Sequence, residues 1–175
     1  MLDVCCDCID CVEKKIPVGD TRVREVCVKC NKIYYQNPKI IAGILPLFED
    51  KILLCKRSIE PKKDFWTIPG GFMECDETLQ EAALREANEE AGINPELGLL
   101  HTIYDLPKIG QVYFVFLGHC KDDRFECGEE TAAAKWVTYE DIPWQDIAFL
   151  PVVFALKQIK SKQLPVFGND KIFVY

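Results

Sequence analysis

Three glutamates set close together carry the most chemistry in this sequence: Glu86, Glu89 and Glu90. They fall within helix-favouring residues that run from Glu77 to Ala91 and that Gly92 ends. Residues three and four apart share a helix face, so the pattern brings the carboxylates together, and Arg85 can pair with Glu89. Like charges at this spacing repel one another. A hard divalent cation such as Mg²⁺, which takes oxygen ligands and keeps places for water and phosphate, would stabilise them.

The glutamates belong to a longer pattern of fixed spacing. Gly71 is followed after five residues by Glu77, and after seven more by Arg85-Glu86-Ala87, then by Glu89-Glu90 and Gly92-Ile93. This segment resembles the Nudix box at every defined position. A solvent-exposed acidic helix would explain the charges but not the glycines at both ends.

The resemblance implies a site and a reaction, because Nudix enzymes hydrolyse a nucleoside diphosphate linked to another moiety. It implies that the three glutamates and the backbone carbonyl of Gly70 are metal ligands. It further implies that Arg85 orients Glu89 and that Glu77 holds the preceding loop against the helix. Two or three Mg²⁺ or Mn²⁺ ions would neutralise the phosphates and align the attacking water.

The general base is a separate question. Glu130 lies in an acidic loop before a predicted strand, and it resembles the loop glutamate that serves as base in dinucleoside-type Nudix enzymes. Its neighbour Glu129 is the first alternative, and Glu89 or Glu90 could also take the role. A loop charge without a catalytic role is the remaining interpretation.

Three other side chains are candidates for substrate binding. Arg57, at the end of a predicted strand, could contact a phosphate, and Glu74 could extend the acidic cluster. Trp66 could stack on a base, although core packing is the interpretation we favour for this residue. A surface arginine and a solvent-exposed glutamate are the ordinary interpretations of the other two.

The cysteines indicate a second metal. Six of the ten lie in the first 30 residues, and Cys5, Cys8, Cys27 and Cys30 have the spacing of a four-thiolate zinc site. Cys8 and Cys11 are an equally valid first pair. We favour Cys5 and Cys8 because residues 16–20 then resemble the hairpin turn of the zinc ribbon found ahead of some Nudix domains. So small a segment has little core of its own, so one structural Zn²⁺ would supply its folding energy.

The remaining pattern predicts a domain organisation of a zinc ribbon at 1–36 and a hydrolase domain at 37–175. Asn37-Pro38 disfavours helix and marks the linker. The predicted strands are 39–48, 51–58, 66–69, 98–106, 111–120 and 132–138, and the predicted helices are 77–91 and 149–160. In the first helix Thr78 and Glu81 have capping-box spacing, and Leu84, Ala87 and Ala91 form the buried stripe. The fold class is α/β (α+β), a Nudix α/β/α sandwich with a mixed sheet.

Composition limits the partners and the compartment. The 175 residues are 49% hydrophobic and 28% charged, as in globular proteins. The net charge of −7 argues against a nucleic-acid or anionic-membrane partner, because both are bound through basic surfaces. The acidic, cysteine-rich start is unlike a targeting segment, and no apolar run has the length of a membrane span. We therefore expect a cytoplasmic protein.

The substrate class follows only from resemblance. The ribbon, the linker 34–38 and the stretch 142–149 resemble the branch that includes ADP-ribose, FAD and NADH pyrophosphatases, although the NADH-type signature downstream of the box is absent. We expect a Mg²⁺-dependent pyrophosphohydrolase acting on a nucleotide-type substrate and releasing a mononucleotide. The alternatives are a hydrolase of damaged nucleoside triphosphates and a non-catalytic nucleotide sensor that uses the ribbon. A second subunit could add specificity, so a homodimer is one assembly to test.

Overall fold

The computed structural model describes residues 11–161 and 165–169, and the chain divides into two compact units between Asn37 and Pro38. The first unit is an antiparallel sheet of β1 (Val12–Lys15), β2 (Arg24–Cys27) and β3 (Ile33–Tyr34). The β1–β2 turn has Gly19 at φ 84°, and it lies where the ribbon turn was predicted. No helix of the described residues is both long and apolar enough to cross a membrane.

The second unit is one mixed sheet with two helices. Its strands are β4 (Lys39–Phe48), β5 (Lys51–Arg57), β6 (Trp66–Thr67), β7 (Gly70–Phe72), β8 (Glu96–Leu106), β9 (Gln111–His119), β10 (Thr131–Thr138) and β11 (Val166–Asn169), and its helices are α1 (Leu79–Ala91) and α2 (Leu150–Lys157). The strand order is β10-β5-β4-β9-β8-β11, with β6 paired to β5 and β7 paired to β4. The β4–β9 and β8–β11 pairs are parallel and the others are antiparallel.

The two helices cover opposite faces of this sheet. On one face, four buried alanines of α1 contact the side chains of Ala42, Ile44, Leu53 and Phe116. On the other face, Val152, Ala155 and Leu156 of α2 pack with Leu45, Ile52, Leu54 and Val115. Successive residues of β4 and β5 alternate between the two cores, as strand geometry requires. The predicted α/β/α sandwich with a mixed sheet is therefore confirmed.

Helix α1 begins at Leu79, two residues after the predicted start at 77, and ends at Ala91 as predicted. Thr78 is the N-cap and forms the capping box with Glu81, and Gly92 ends the helix at φ 62°. The predicted buried stripe is only partly right. Ala82 and Ala83 are buried while Leu84 is half-buried, because alanine lets the helix lie close to the sheet.

One local prediction was wrong. The predicted strand 66–69 ended before Gly70 and Gly71, but these residues form β7, which pairs with residues 41–43 of β4. Glycine is disfavoured in strands, so the sequence pattern gives no strand signal here. Gly70 and Gly71 form a strand because they pair with β4. The other edge of β7 contributes to the site described below.

Candidate active site

A cavity of about 940 Å³ lies in the second unit. Its wall is formed by β7, α1, the loop before β10, the turn between β8 and β9, and the start of α2. Among the described residues that line it are seven glutamates and two arginines, and the rest of the lining is largely apolar. The cavity has the size of sites that enclose small molecules.

Strand β7 presents one backbone edge to α1. Ile44 N donates to Pro69 O and Met73 N donates to Ile40 O, so Gly43 and Gly70 form a non-hydrogen-bonded pair. The peptide groups of Gly70 therefore point away from β4. Gly70 N donates to Glu90 Oε2 at 3.1 Å, and its carbonyl lies on the same edge.

Both glycines of β7 are required by close approach. A Cβ on Gly71 would lie 2.5 Å from Glu86 Oε1, and one on Gly70 would lie 2.7 Å from Gly43 Cα. Neither distance is tolerated by real side chains. Gly70 thus lets β7 lie close to β4, and Gly71 leaves the space that the Glu86 carboxylate occupies.

Arg85 connects three of the predicted site residues. Its Nε and Nη2 donate to the two Glu77 oxygens at 2.9 and 2.8 Å. Its Nη1 donates to Glu86 Oε1 at 2.7 Å and to Glu89 Oε2 at 2.9 Å. Its Nη2 also donates to Phe72 O in β7. These bonds join helix, loop and strand, and the hydrogen bonds with Glu77 chiefly raise the pKa of Arg85.

Glu77 fixes the loop that precedes α1. Besides Arg85, it accepts a hydrogen bond from Glu74 N at 2.8 Å. These bonds lower the pKa of Glu77 to about 2, with the Arg85 hydrogen bond as the largest cause. Glu77 therefore stays charged at any physiological pH. Glu74 itself is exposed and lines the cavity.

Glu90 differs from its neighbours because it is 7% exposed. Burial raises the pKa of Glu90 to about 8, although the hydrogen bond from Gly70 N opposes the shift. Burial also raises the pKa of Glu86. Glu86 and Glu90, whose charged forms are disfavoured by burial, lie beside the Gly70 backbone carbonyl, and together these oxygen atoms suit a bound cation.

The loop before β10 packs against the end of α1. Gly128 N donates to Glu90 O at 3.1 Å, and a Cβ on Gly128 would overlap Glu89 O. Ser58 N donates to Glu130 O, and Ser58 Oγ donates to Glu129 O. Both loop glutamates are exposed and line the cavity. The charge of Glu130 contributes to the raised pKa of Glu86 and Glu90.

Arg57 lies in the same cavity and is held from two sides. Its Nε donates to Pro61 O at 2.8 Å, and its guanidinium lies 5.2 Å from the ring centre of Phe149. Within residues 11–161 and 165–169 it has no carboxylate partner at ion-pair distance. The sequence analysis did not identify Phe149 as a site residue, because an aromatic residue at the start of a helix is usually part of the hydrophobic core.

Trp66 lies elsewhere. It packs against the apolar cluster under α2, and Lys135 Nζ lies 4.3 Å from the centre of its ring. Its carbonyl accepts a hydrogen bond from Ala148 N. It does not line the cavity, so its position fits core packing and not base stacking.

The metal ligands expected from sequence do not converge on a single point in the structure. Within the described part of the chain, no three His, Cys, Asp or Glu side chains form a ready metal-binding group. At the glutamates, Arg85 takes oxygens of Glu86 and Glu89 that a cation would otherwise use. Cys27 ends β2 and Cys30 lies in the turn that follows, where Asn31 adopts φ 58°. Cys5 and Cys8 lie outside the described residues.

Known proteins share this fold and this segment. The NUDIX domain family matches residues 37–156. An ADP-ribose pyrophosphatase from Methanocaldococcus jannaschii is 30% identical over 120 residues, which cover 66% of this chain and 70% of that protein. A crystal structure of a NUDIX hydrolase from Nitrosomonas europaea is 41% identical with a TM-score of 0.84, covering 90% of this chain and 93% of that chain.

A second solved structure carries ligands. It is a bifunctional NMN adenylyltransferase/ADP ribose pyrophosphatase from Francisella tularensis, complexed with AMP and an Mn ion. It is 25% identical with a TM-score of 0.60, and the match covers 72% of this chain and 41% of that chain. Family match, fold and glutamate geometry agree, and the chain belongs to the Nudix family of hydrolases, which cleave pyrophosphate bonds.

Proposed function

We propose that the protein is a Mg²⁺- or Mn²⁺-dependent pyrophosphohydrolase that cleaves a nucleoside diphosphate linked to an uncharged moiety, of the ADP-ribose, FAD or NADH type. The observation that carries this proposal is the division of one cavity. One end holds the carboxylates around Arg85, and the other end is lined by apolar side chains such as Ile109 and Leu150. A diphosphate fits the first end through cations, and an organic group fits the second.

The donor set fits a hard cation. Glu86, Glu89, Glu90 and the Gly70 carbonyl offer oxygen atoms only, as Mg²⁺ and Mn²⁺ prefer. Glu90 is buried with one hydrogen bond from Gly70 N, so a bound cation would compensate its charge. When bound, such ions supply charge neutralisation and a more acidic water. Arg85 positions Glu86 and Glu89, and Glu77 holds Arg85 in place.

Glu130 is our candidate for the base that takes a proton from the attacking water. Its backbone is fixed by Ser58, it lines the cavity, and its charge contributes to the raised pKa of Glu86 and Glu90. Glu129 is fixed by the same serine and remains the alternative. Exchange of each for glutamine separates them, because only loss of the base changes the dependence of kcat on pH.

The charges of the cavity favour a substrate with few phosphates. Arg85 is committed to three glutamates, which leaves Arg57 as the one lining cation, among the described residues, that could bind an anion directly. A heavily phosphorylated ligand would meet seven glutamates with little to oppose them. A single diphosphate, neutralised by cations and Arg57, suits this balance. The ADP-ribose pyrophosphatase relative and the AMP-bound structure support the same choice.

The test is a substrate panel with Mg²⁺, read by mass spectrometry. It contains ADP-ribose, FAD, NADH, diadenosine polyphosphates and an oxidised deoxynucleoside triphosphate. We expect AMP from a member of the first three and little from the last. Pyrophosphate released from the triphosphate would instead favour the hydrolase of damaged nucleotides. Absence of turnover on every member would leave only the nucleotide sensor.

We also propose that residues 1–36 form a zinc ribbon and 37–175 the hydrolase domain. The β2–β3 turn supports the second cysteine pair, because Asn31 N donates to Cys27 O and Cys27 N donates to Lys32 O, closing a tight turn between Cys27 and Cys30. Cys5 with Cys8, or Cys8 with Cys11, would complete the site. The purified protein should hold about one zinc per chain. Exchange of Cys27 for serine should release it, while Cys120→Ser should not.

A further inference from the structure

Two polar side chains lie at the end of the cavity that is distant from α1. Gln111 and Tyr113 are on β9, which pairs with β4 on the side opposite to β7. Ile41 pairs with Phe72 of β7 on one side and with Tyr113 on the other. The two polar residues are therefore about 10 Å, two strand spacings, from the edge where Glu86 and Glu90 lie.

Both side chains face the large cavity. Alternation puts Gln111 and Tyr113 on one face of β9 and Val112 on the other. Tyr113 lines only the large cavity, whereas Val112 lines only a smaller cleft of about 360 Å³. Gln111 is at the rim and borders both the cavity and the cleft. Because it is on the same face of β9 as Tyr113, its side chain is directed to the large cavity.

Neither side chain has a partner in the part of the chain that the structure describes. Within the described residues, the Gln111 amide and the Tyr113 hydroxyl make no hydrogen bond, although both residues are half-buried. Their neighbours in the lining are apolar: Ile41, Leu106 and Ile109. Polar groups in such surroundings cost free energy unless a ligand satisfies them.

Tyr113 connects this pair to the phosphate end. The positive charge of Arg57 acts on the Tyr113 hydroxyl, while burial raises the pKa of Tyr113 and keeps the hydroxyl protonated. The line from Gln111 at the rim through Tyr113 then crosses β4 towards Arg57, which is the last residue of β5. A nucleotide laid along this line would have its base at Gln111 and its phosphates at Arg57.

We propose that Gln111 determines base specificity by binding the edge of a heteroaromatic ring that carries a hydrogen-bond donor beside an acceptor. The side-chain amide offers one acceptor and one donor side by side, which complements an adenine-type edge. Leu106 and Ile109 pack against the ring, and Tyr113 binds the sugar. This inference rests on the proposed function, because it concerns the base of the same nucleotide substrate.

The test compares nucleoside diphosphate riboses that differ only in the base. Wild type should prefer adenine over purine, which keeps the ring acceptor and lacks the adjacent donor. Gln111→Leu should lower kcat/KM for the adenine compound roughly 5- to 150-fold, through KM, and should remove the preference. Gln111→Glu should shift the preference towards guanine, because a carboxylate accepts from the two adjacent donors of that base.

The matched control is Gln80→Leu, on the exposed surface of α1 outside the cavity. It should keep the wild-type preference and melting temperature. Calorimetric binding of AMP, GMP and purine riboside 5′-monophosphate to the same variants gives a readout that does not depend on turnover. An adenine preference that survives Gln111→Leu in both assays overturns the inference and leaves the pyrophosphohydrolase intact. Absence of turnover in wild type, with AMP binding still sensitive to Gln111, overturns the hydrolase proposal alone.

Discussion

The two ends of the cavity are built in different ways. The acidic end comes mainly from one segment, Gly70 to Glu90, in which a strand, a loop and a helix are joined by the hydrogen bonds of Arg85. The apolar end brings Ile41 of β4 together with Leu106 of β8 and Ile109 of the following turn, through the pairing of β9 with β4 and β8. The first end is local in sequence and cross-linked, and the second depends on strand order. The segment that forms the acidic end can therefore stay the same in proteins whose apolar end differs to fit another substrate.

The two ends of the cavity should differ in their effects on kcat and KM. Damage to the glutamates or to Arg85 at the acidic end should lower kcat for every substrate, because all substrates share the diphosphate. Damage at the apolar end should act on KM and should differ between substrates. The predictions that follow test this separation, beginning with the residue where we expect the largest effect.

Replacing Glu90 by glutamine should reduce kcat by more than about 100-fold, the upper range for residues that only orient metal ligands. The amide keeps the hydrogen bond from Gly70 N and removes a buried carboxyl whose pKa burial raises. The variant should therefore stay folded, with a melting temperature equal to or above that of wild type. Initial rates on two substrates and thermal unfolding measure both effects.

The control for Glu90 is Glu96→Gln, an exposed glutamate at the start of β8. It should change neither rate nor melting temperature. Near-normal kcat in Glu90→Gln would remove this residue from the proposed metal ligands. A loss confined to one substrate would break the contrast itself.

The same contrast explains how far sequence could reach. The spacing from Gly71 to Ile93 predicts the helix, its caps and the glutamate face, because each of these depends on neighbours in the chain. It could not show that Gly70 and Gly71 are in a strand, since that pairing depends on β4 and on the approach of Glu86. It also could not show that Glu90 is the buried one of the three.

The residues of the apolar end could not be identified from a sequence pattern in this way. Residues 112–117 of β9 are apolar without interruption, so the face of the strand that borders a cavity cannot be read from the pattern. Gln111 and Tyr113 become neighbours of Ile41 only through the parallel pairing of β9 with β4. Trp66, for which core packing was the favoured interpretation, packs against the apolar cluster under α2.

Replacing Arg85 by lysine should lower kcat about 10- to 100-fold, as for residues that orient metal ligands. A lysine ammonium cannot hold Glu77 with two nitrogens and also bridge Glu86 and Glu89, which the arginine fork does. The loss should be similar for all substrates. Arg124→Lys, at an exposed pair with Asp122, is the control and should have wild-type rates. Different losses on different substrates would contradict a purely positioning role.

Replacing Arg57 by methionine should raise KM about tenfold and change kcat less, because one charge-assisted contact to phosphate is lost. The methionine retains contact with Phe149, so packing is preserved. Lys63→Met, at an exposed position of the same loop region, is the control. Michaelis–Menten analysis on the best substrate of the panel makes the measurement. An unchanged KM would mean that Arg57 serves the loop at Pro61 and not the ligand.

The smallest effect concerns stability at acid pH. The pKa of Glu77 is lowered from 4.5 to about 2 by Arg85 and by Glu74 N. The unfolded chain therefore binds more protons as the pH falls through this interval, so the stability from Glu77 is complete above about pH 4.5 and is lost towards pH 2. Glu77→Gln should be less stable than wild type at neutral pH, and the difference in free energy of unfolding should narrow in acid. Urea titrations across this range measure it, with Asp76→Asn as the control. A constant difference would show that Glu77 holds the loop by packing and not by its charge.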